Sequence, residues 1–188
     1  LLGAERIDAL PAGGVLLNAA RGGVVDEAAL AARLERGPAL ATAVDTWAGE
    51  PAISADLLER VDLGTPHIAG HSREGRLRGT AMIARAAAEH FGTDTGWDWR
   101  AELPPGPTLE PVDDPVAAIL AAYDPGDDDA RLRTLLQVAP VERPRAFDGV
   151  RAACQRRREF GFHAVPANIP AGVAAVGFGA PDPADAGS

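Results

Sequence analysis

The 188 residues suffice for one ordinary domain or pieces of two, and an apolar fraction of 46% is normal for a chain that buries a core. A formal net charge of −9 argues against nucleic acid, whose phosphates demand basic stripes, and an acidic surface suits anionic membrane poorly. No run approaches the apolar length that spans a bilayer, and the one cysteine, Cys154, cannot close an internal disulfide, which fits a reducing cytoplasm.

Residues 5–10 read as a short helical or turn segment, ended by Pro11 and the breaker Ala12-Gly13-Gly14. The continuous apolar run at 15–20 predicts a strand covered on both faces of a parallel sheet, closed by Arg21-Gly22-Gly23. Asp26 is placed to cap a helix through Glu35, with Leu30 and Leu34 facing a core and Gly37 as its stop. Residues 40–44 read as a second strand ending at Asp45, so Asn18 to Asp45 is a strand–helix–strand unit of an α/β sheet. A loop with Trp47 and Glu50-Pro51 leads to a short helix over 56–60. Residues 65–70 read as a third strand-like piece running into a loop. From Ser72 a longer helix is predicted to about Phe91, with Leu77, Ile83, Ala84, Ala87 and Phe91 near helical spacing and Gly92 past its end.

The character then changes. Residues 93–114 carry Trp97, Trp99, several prolines and several acids without periodicity, the marks of a linker or of an arm over another surface. A smaller module follows: a helix over 116–123 opened by Pro115, an acidic turn at 127–129, and a helix with Leu132, Leu135 and Leu136. Another helix is expected from Asp148 to about Glu159 and a strand over 160–165. The predicted division is 1–71, 72–92, 93–114, 115–180 and a disordered tail at 181–188. The chain opens Leu1-Leu2 without an initiator, and its only methionine is Met82, so truncation at the N-terminus is expected.

In a parallel α/β sheet, ligands sit beyond the carboxyl ends of the strands. Arg21 follows the first strand, Asp45 ends the second with Glu50 in its loop, and His67 lies at the third. A planar guanidinium grips a carboxylate bidentately. A histidine takes a hydroxyl proton as hydride leaves the carbon, and a carboxylate beside it holds its tautomer and favours its charged form. Each residue has a blander reading on spacing alone: an arginine that caps carbonyls, a structural histidine, a Glu-Pro turn.

Three runs carry more. Asn18-Ala19-Ala20-Arg21-Gly22-Gly23-Val24-Val25-Asp26-Glu27 resembles the signature of the D-2-hydroxyacid dehydrogenases. Val44-Asp45-Thr46-Trp47-Ala48-Gly49-Glu50-Pro51 resembles the second motif of that family, and Thr65-Pro66-His67-Ile68-Ala69-Gly70 the third, in the same order and with matching gaps. The resemblance implies the C-terminal part of a Rossmann-like parallel α/β sheet followed by a small α+β dimerisation domain, with NAD as cofactor and no metal. It assigns Arg21 to the substrate carboxylate, Glu50 to the histidine partner and His67 to acid/base work. It also implies that Asp45 contacts the nicotinamide carboxamide, and that backbone at Ala19, Ala20, Arg21 and Gly70 lines the cofactor.

Within that family, the run from His67 to Thr80 resembles the branch that oxidises 4-phosphoerythronate to (R)-3-hydroxy-2-oxo-4-phosphooxybutanoate in pyridoxal phosphate biosynthesis. Tyr123-Asp124, Leu132-Arg133, Phe147-Asp148 and Arg156-Arg157-Arg158-Glu159-Phe160 resemble the dimerisation domain of the same branch. This implies a small phosphorylated 2-hydroxy acid as substrate and a homodimer formed through the C-terminal domain. One position departs: His71 stands where a substrate-contacting tyrosine is usual. A histidine there can donate to a phosphate oxygen or simply face solvent. Arg73, Arg76 and Arg78 either add to a phosphate-attracting field or form a solvated helix face. No Gly-x-Gly-x-x-Gly follows a strand in these residues, so the isolated chain is expected to be inactive. The alternatives are a phosphoglycerate- or hydroxypyruvate-type relative, or a non-catalytic dimerisation or binding module.

Overall fold

The structure is a computed structural model and describes residues 2–37, 39–154 and 157–179. In chain order the elements are α1 (Ala4–Asp8), β1 (Val15–Asn18), α2 (Glu27–Arg36), β2 (Ala41–Val44), α3 (Ala55–Arg60), β3 (Leu63–Gly64), α4 (Arg73–Phe91), α5 (Pro115–Ala122), α6 (Pro125–Arg133), α7 (Arg143–Ala153) and α8 (Ala171–Ala175). They form two compact units. The first comprises the described residues of Leu1–Ala69 and Pro125–Cys154, the second those of Gly70–Asp124 and Gln155–Ser188. The expected disordered tail at 181–188 lies outside the described residues.

In the first unit β1, β2 and β3 make a three-stranded parallel sheet in that order. The register pairs Asn18 with Val44 and Val44 with Gly64, so all three strands end at one edge. Asp26 caps α2 by accepting from Ala29 N at 3.0 Å, and Gly37 ends it at φ 67°, where a side chain would be strained. Ser54 caps α3 in the same way, through Leu57 N. The core joins Ile7, Leu16, Leu30, Val44, Trp47 and Leu57 to Leu132, Leu135 and Phe147, so α6 and α7 belong to the same hydrophobic body as the sheet.

Arg133 secures that packing. Its guanidinium donates to Leu58 O and Val61 O at the end of α3, each at 2.8 Å, and to Asp129 at 2.7 Å. Asp129 in turn accepts from Gly64 N at 2.7 Å.

Several expectations change here. The apolar run at 15–20 is covered on one face: Leu16 and Asn18 are buried, whereas Val15 and Leu17 are 72% and 67% exposed. The third strand is Leu63–Gly64, and residues 65–70 are loop, because His67 takes a left-handed backbone (φ 55°) that no strand accommodates. The acidic turn at 127–129 is the first part of α6. Pro125 at its start and acids in its first turn favour a helix N-terminus, a signal that Gly126 and the run of acids disguised as a turn. The helix expected at 148–159 is α7, five residues earlier at its start, because Pro144 in the first turn opens it and does not break it.

In the second unit Ser72 Oγ caps α4 through Gly75 N at 2.9 Å, and Gly92 closes it in the left-handed conformation. Glu74, fully buried, pairs with Arg158 and accepts from Glu159 N at 3.0 Å. Arg158 also reaches Pro104 O and Pro105 O, and Ser72 Oγ donates to Glu159 at 2.7 Å. The segment 93–114 thus lies against its own unit, with Trp99 buried and Arg78 and Arg100 stacked on its ring. A second core gathers Leu109, Ala118, Val173 and Phe178.

The apolar face expected on α4 is not a packed one. Ile83 and Phe91 are each 74% exposed, and the helix buries only Glu74. The strand expected at 160–165 is a 3₁₀ turn, Phe160–Phe162, with a single parallel bridge between Thr108 and Ala164. Phe160 stacks on Phe178 at 4.6 Å between ring centroids, and Gly106 approaches Phe162 O so closely that a Cβ would lie 1.9 Å from it. Among the described residues no helix is long and apolar enough to cross a membrane.

Candidate active site

The loops leaving the three strand ends meet in the first unit. They line a cleft of about 380 Å³ with Arg21, Gly22, Gly23, Trp47, Ala48, Gly49, Glu50 and His67. Its size is at the low end of small-molecule sites, roughly 300–1,000 Å³, and its place is where a parallel sheet presents ligands.

Each loop is held by specific bonds. Asn18, buried at the end of β1, donates to Thr46 O at 3.2 Å and Arg21 O at 3.3 Å and accepts from Ala20 N. It shapes the turn carrying Ala19, Ala20 and Arg21 and ties it to the loop after β2. Gly22 is there because nothing larger fits: a Cβ would stand 2.1 Å from Trp47 O. Arg21 itself is exposed. One of its nitrogens donates to Ala20 O at 2.7 Å, and a guanidinium has five N–H donors, so a bidentate face remains.

Glu50 and His67 form the central pair. Glu50 Oε2 lies 2.8 Å from His67 Nδ1, and Oε1 accepts from Trp47 N at 2.8 Å, so both carboxylate oxygens are directed. In the neutral tautomer that donates Nδ1–H to Glu50, Nε2 is the nitrogen left to accept a proton. Both side chains are three-quarters or more buried. Buried Trp47 braces the arrangement by donating Nε1–H to Thr65 O at 2.9 Å.

Asp45 does more than end a strand. Its Oδ1 accepts from Thr65 Oγ1 at 2.6 Å and Ile68 N at 2.7 Å, its Oδ2 from Ala69 N at 3.0 Å, and its backbone carbonyl from His67 N at 2.7 Å. These bonds bracket His67 on both sides and hold it in its left-handed backbone, a conformation disfavoured for a residue with a Cβ. A carboxylate has about four acceptor positions, so Oδ2 keeps capacity for one more donor.

Glu27 was not singled out as a site residue from the sequence, although it closes the first motif. From the first turn of α2 its carboxylate accepts from Ala48 N, beside the Glu50 turn. Burial pushes its carboxyl above the ordinary range; the Ala48 hydrogen bond pulls it back, and the Glu50 charge raises it further. Thr65 and Trp47 were likewise legible only as motif members.

Gly70 and His71 belong to the second unit, in the turn before the Ser72 cap. The structure therefore brings together Arg21, Asp45, Glu50 and His67, with Ala19 and Ala20 on the adjoining turn; Gly70 and His71 are described only within their own unit.

The nicotinamide cofactor implied by the motifs can be tested against these residues. Gly22, Gly23 and Gly49 leave their own stretches of the cleft wall free of side chains, and Asp45 Oδ2 retains an acceptor position suited to an amide N–H. The residues present fit the nicotinamide end of such a molecule.

Comparison with known proteins agrees. Residues 1–69 match the family model described as D-isomer specific 2-hydroxyacid dehydrogenase, NAD binding domain. The chain is 39% identical over 177 residues to an erythronate-4-phosphate dehydrogenase of Salinibacter ruber, covering 88% of this chain and 45% of that protein. It is 40% identical over 168 residues to that of Marinobacter nauticus (85% and 44%) and 44% identical over 158 residues to that of Cronobacter sakazakii (80% and 40%). The chain thus spans less than half the length of these curated relatives.

Proposed function

We propose that the chain, whose residues 1–69 match the NAD binding domain of the D-isomer specific 2-hydroxyacid dehydrogenases, belongs to that family, works with NAD and serves the oxidation of 4-phosphoerythronate to the corresponding 2-oxo acid. The observation that carries the reading is the 2.8 Å bond between Glu50 and His67 Nδ1 on the cleft that Arg21 also lines. NAD, when bound, supplies the acceptor for the hydride leaving the substrate carbon.

The chain's own residues supply the rest. Arg21 grips the substrate carboxylate with the donors left after its bond to Ala20 O, fixing which face of the carbon is presented. His67 Nε2 takes the hydroxyl proton as the carbonyl forms. Glu50 holds the ring in the competent tautomer and stabilises the imidazolium produced, a role that requires the carboxylate to stay charged and aimed. Asp45 holds the backbone around His67 and offers Oδ2 to the carboxamide. Backbone at Ala19 and Ala20 lines the cofactor.

The substrate assignment draws on likeness to relatives named erythronate-4-phosphate dehydrogenase; a step of pyridoxal phosphate biosynthesis in the cytoplasm is part of the same proposal. Pairing into a homodimer through residues 115–180 is part of the same reading. It is supported by Val116 and Leu120, one helical turn apart on α5 and 60% and 46% exposed.

With the intact gene product and 4-phosphoerythronate, NADH formation is expected. His67→Gln should lower kcat by on the order of 10²–10⁴-fold while NADH binding and the melting temperature stay near those of the parent. A parent-like rate would remove His67 from the proton transfer.

A further inference from the structure

The turn at 47–50 that presents Glu50 is held from three directions, and one of them is unaccounted for. Its two consecutive amides are each taken by a carboxylate: Trp47 N by Glu50 Oε1 at 2.8 Å, and Ala48 N by Glu27. From another side the turn abuts Gly22, which leaves no room for a side chain. Its tip is the least covered part, with Ala48 and Gly49 exposed and Gly49 at φ 75°, while Trp47 is buried at its base. Glu27 reaches it from a firm base. Asp26 caps α2 through Ala29 N, and Leu30 and Ala31 bury the following turn in the core.

We propose that Glu27 is a positioning residue for the oxidation: by holding Ala48 N from the first turn of α2, it fixes the turn that aims Glu50 at His67 Nδ1. The proposal rests on the dehydrogenase reading, which gives Glu27 no part. The requirement is an acceptor oxygen at the reach of a four-atom side chain. Glutamine meets it, and alanine removes it. A slack turn would let Glu50 swing from Nδ1, and His67 would then lose both its tautomer preference and its counter-charge. Substrate and cofactor contacts made by Arg21 and Asp45 would be unaffected, so the defect belongs in kcat.

The test uses the full gene product carrying Glu27→Ala or Glu27→Gln. Glu27→Ala is expected to lower kcat by on the order of 10-fold or more, with KM and the NADH dissociation constant within about twofold of the parent. Glu27→Gln should restore most of the rate. In proton NMR, the downfield signal of the His67 Nδ1–H bonded to Glu50 should persist in the parent and in Glu27→Gln and be lost in Glu27→Ala. A purely structural role would lower the melting temperature and the fraction of protein that binds NADH, with the rate per binding site and the His67 signal unchanged. That outcome would overturn the proposal, as would equal loss in both variants, which would make the charge and not the acceptor decisive. If the parent itself oxidises no 2-hydroxy acid, the dehydrogenase reading fails separately. The His67 signal then decides alone: its loss in Glu27→Ala supports the clamp, and its persistence refutes it.

Discussion

At the scale of single residues, the site works by directing both oxygens of the two carboxylates beside His67. Glu50 spends one oxygen on Trp47 N and the other on His67, and Asp45 divides its oxygens between Thr65, Ile68 and Ala69. Glu27 is the exception, a carboxyl raised by burial and by the Glu50 charge, against the pull of Ala48 N. Its folded-state pKa lies above the unfolded value of about 4.5, so the folded form holds the proton more tightly. Below that value both states are protonated and the group costs nothing; as pH rises through the folded pKa, stability falls. Glu27→Gln should therefore gain urea resistance over the parent at pH 7 and show no gain at pH 4. Equal differences at both values would contradict the burial argument. Cys154 is a second case. Burial, then the hydrogen bond to Asp128 and that carboxylate's charge, push its thiol up to about 12. Iodoacetamide at pH 8 should label it only on unfolding; rapid labelling of the folded protein would show the thiol to be reachable and ionisable.

At the scale of elements, strand ends and helix caps position the chemistry. The motif residues were readable through their likeness to family motifs, with Arg21, Asp45 and His67 following strands, and Asp26, Ser72 and Gly92 announced their helix ends by the ordinary capping rules. Less legible were features that depend on tertiary neighbours. The left-handed turn at His67 displaced the third strand, and α6 looked like a turn because Gly126 and three successive aspartates favour one locally. Nothing in the sequence tells that Asp129 meets Gly64 N or that Arg133 reaches the end of α3. Two element-scale variants test these contacts. Gly22→Ala must move the Arg21 turn away from Trp47 O, and a displacement near 1 Å is expected to cost on the order of 10²-fold in kcat/KM; unchanged kinetics would show that the turn has slack. Arg133→Ala strands two carbonyls at the end of α3 and should lower stability by about 1–3 kcal/mol in urea unfolding, with lysine, which has no fork, in between. A smaller change than about 0.5 kcal/mol would place Arg133 among surface residues.

At the scale of the whole molecule, the sequence carried the likeness to a family through three ordered motifs, and long-range packing decides which residues join each of the two compact units. Residues 125–154 rejoin the sheet unit because Leu132, Leu135 and Phe147 complete its core, a long-range event that local spacing does not encode. The residues proposed for catalysis were legible as positions, while the bonds that aim them, from Asn18, Glu27, Asp45 and Trp47, emerged only in three dimensions. Reaction type rests on the Glu50–His67–Arg21 cleft, and choice of substrate rests on likeness to relatives. The most direct measurement compares the intact gene product on 4-phosphoerythronate and on 3-phosphoglycerate, following NADH formation with NAD in excess. Preferred turnover of 4-phosphoerythronate, by kcat/KM, is the expected result; turnover of 3-phosphoglycerate alone, or of neither acid, would contradict it.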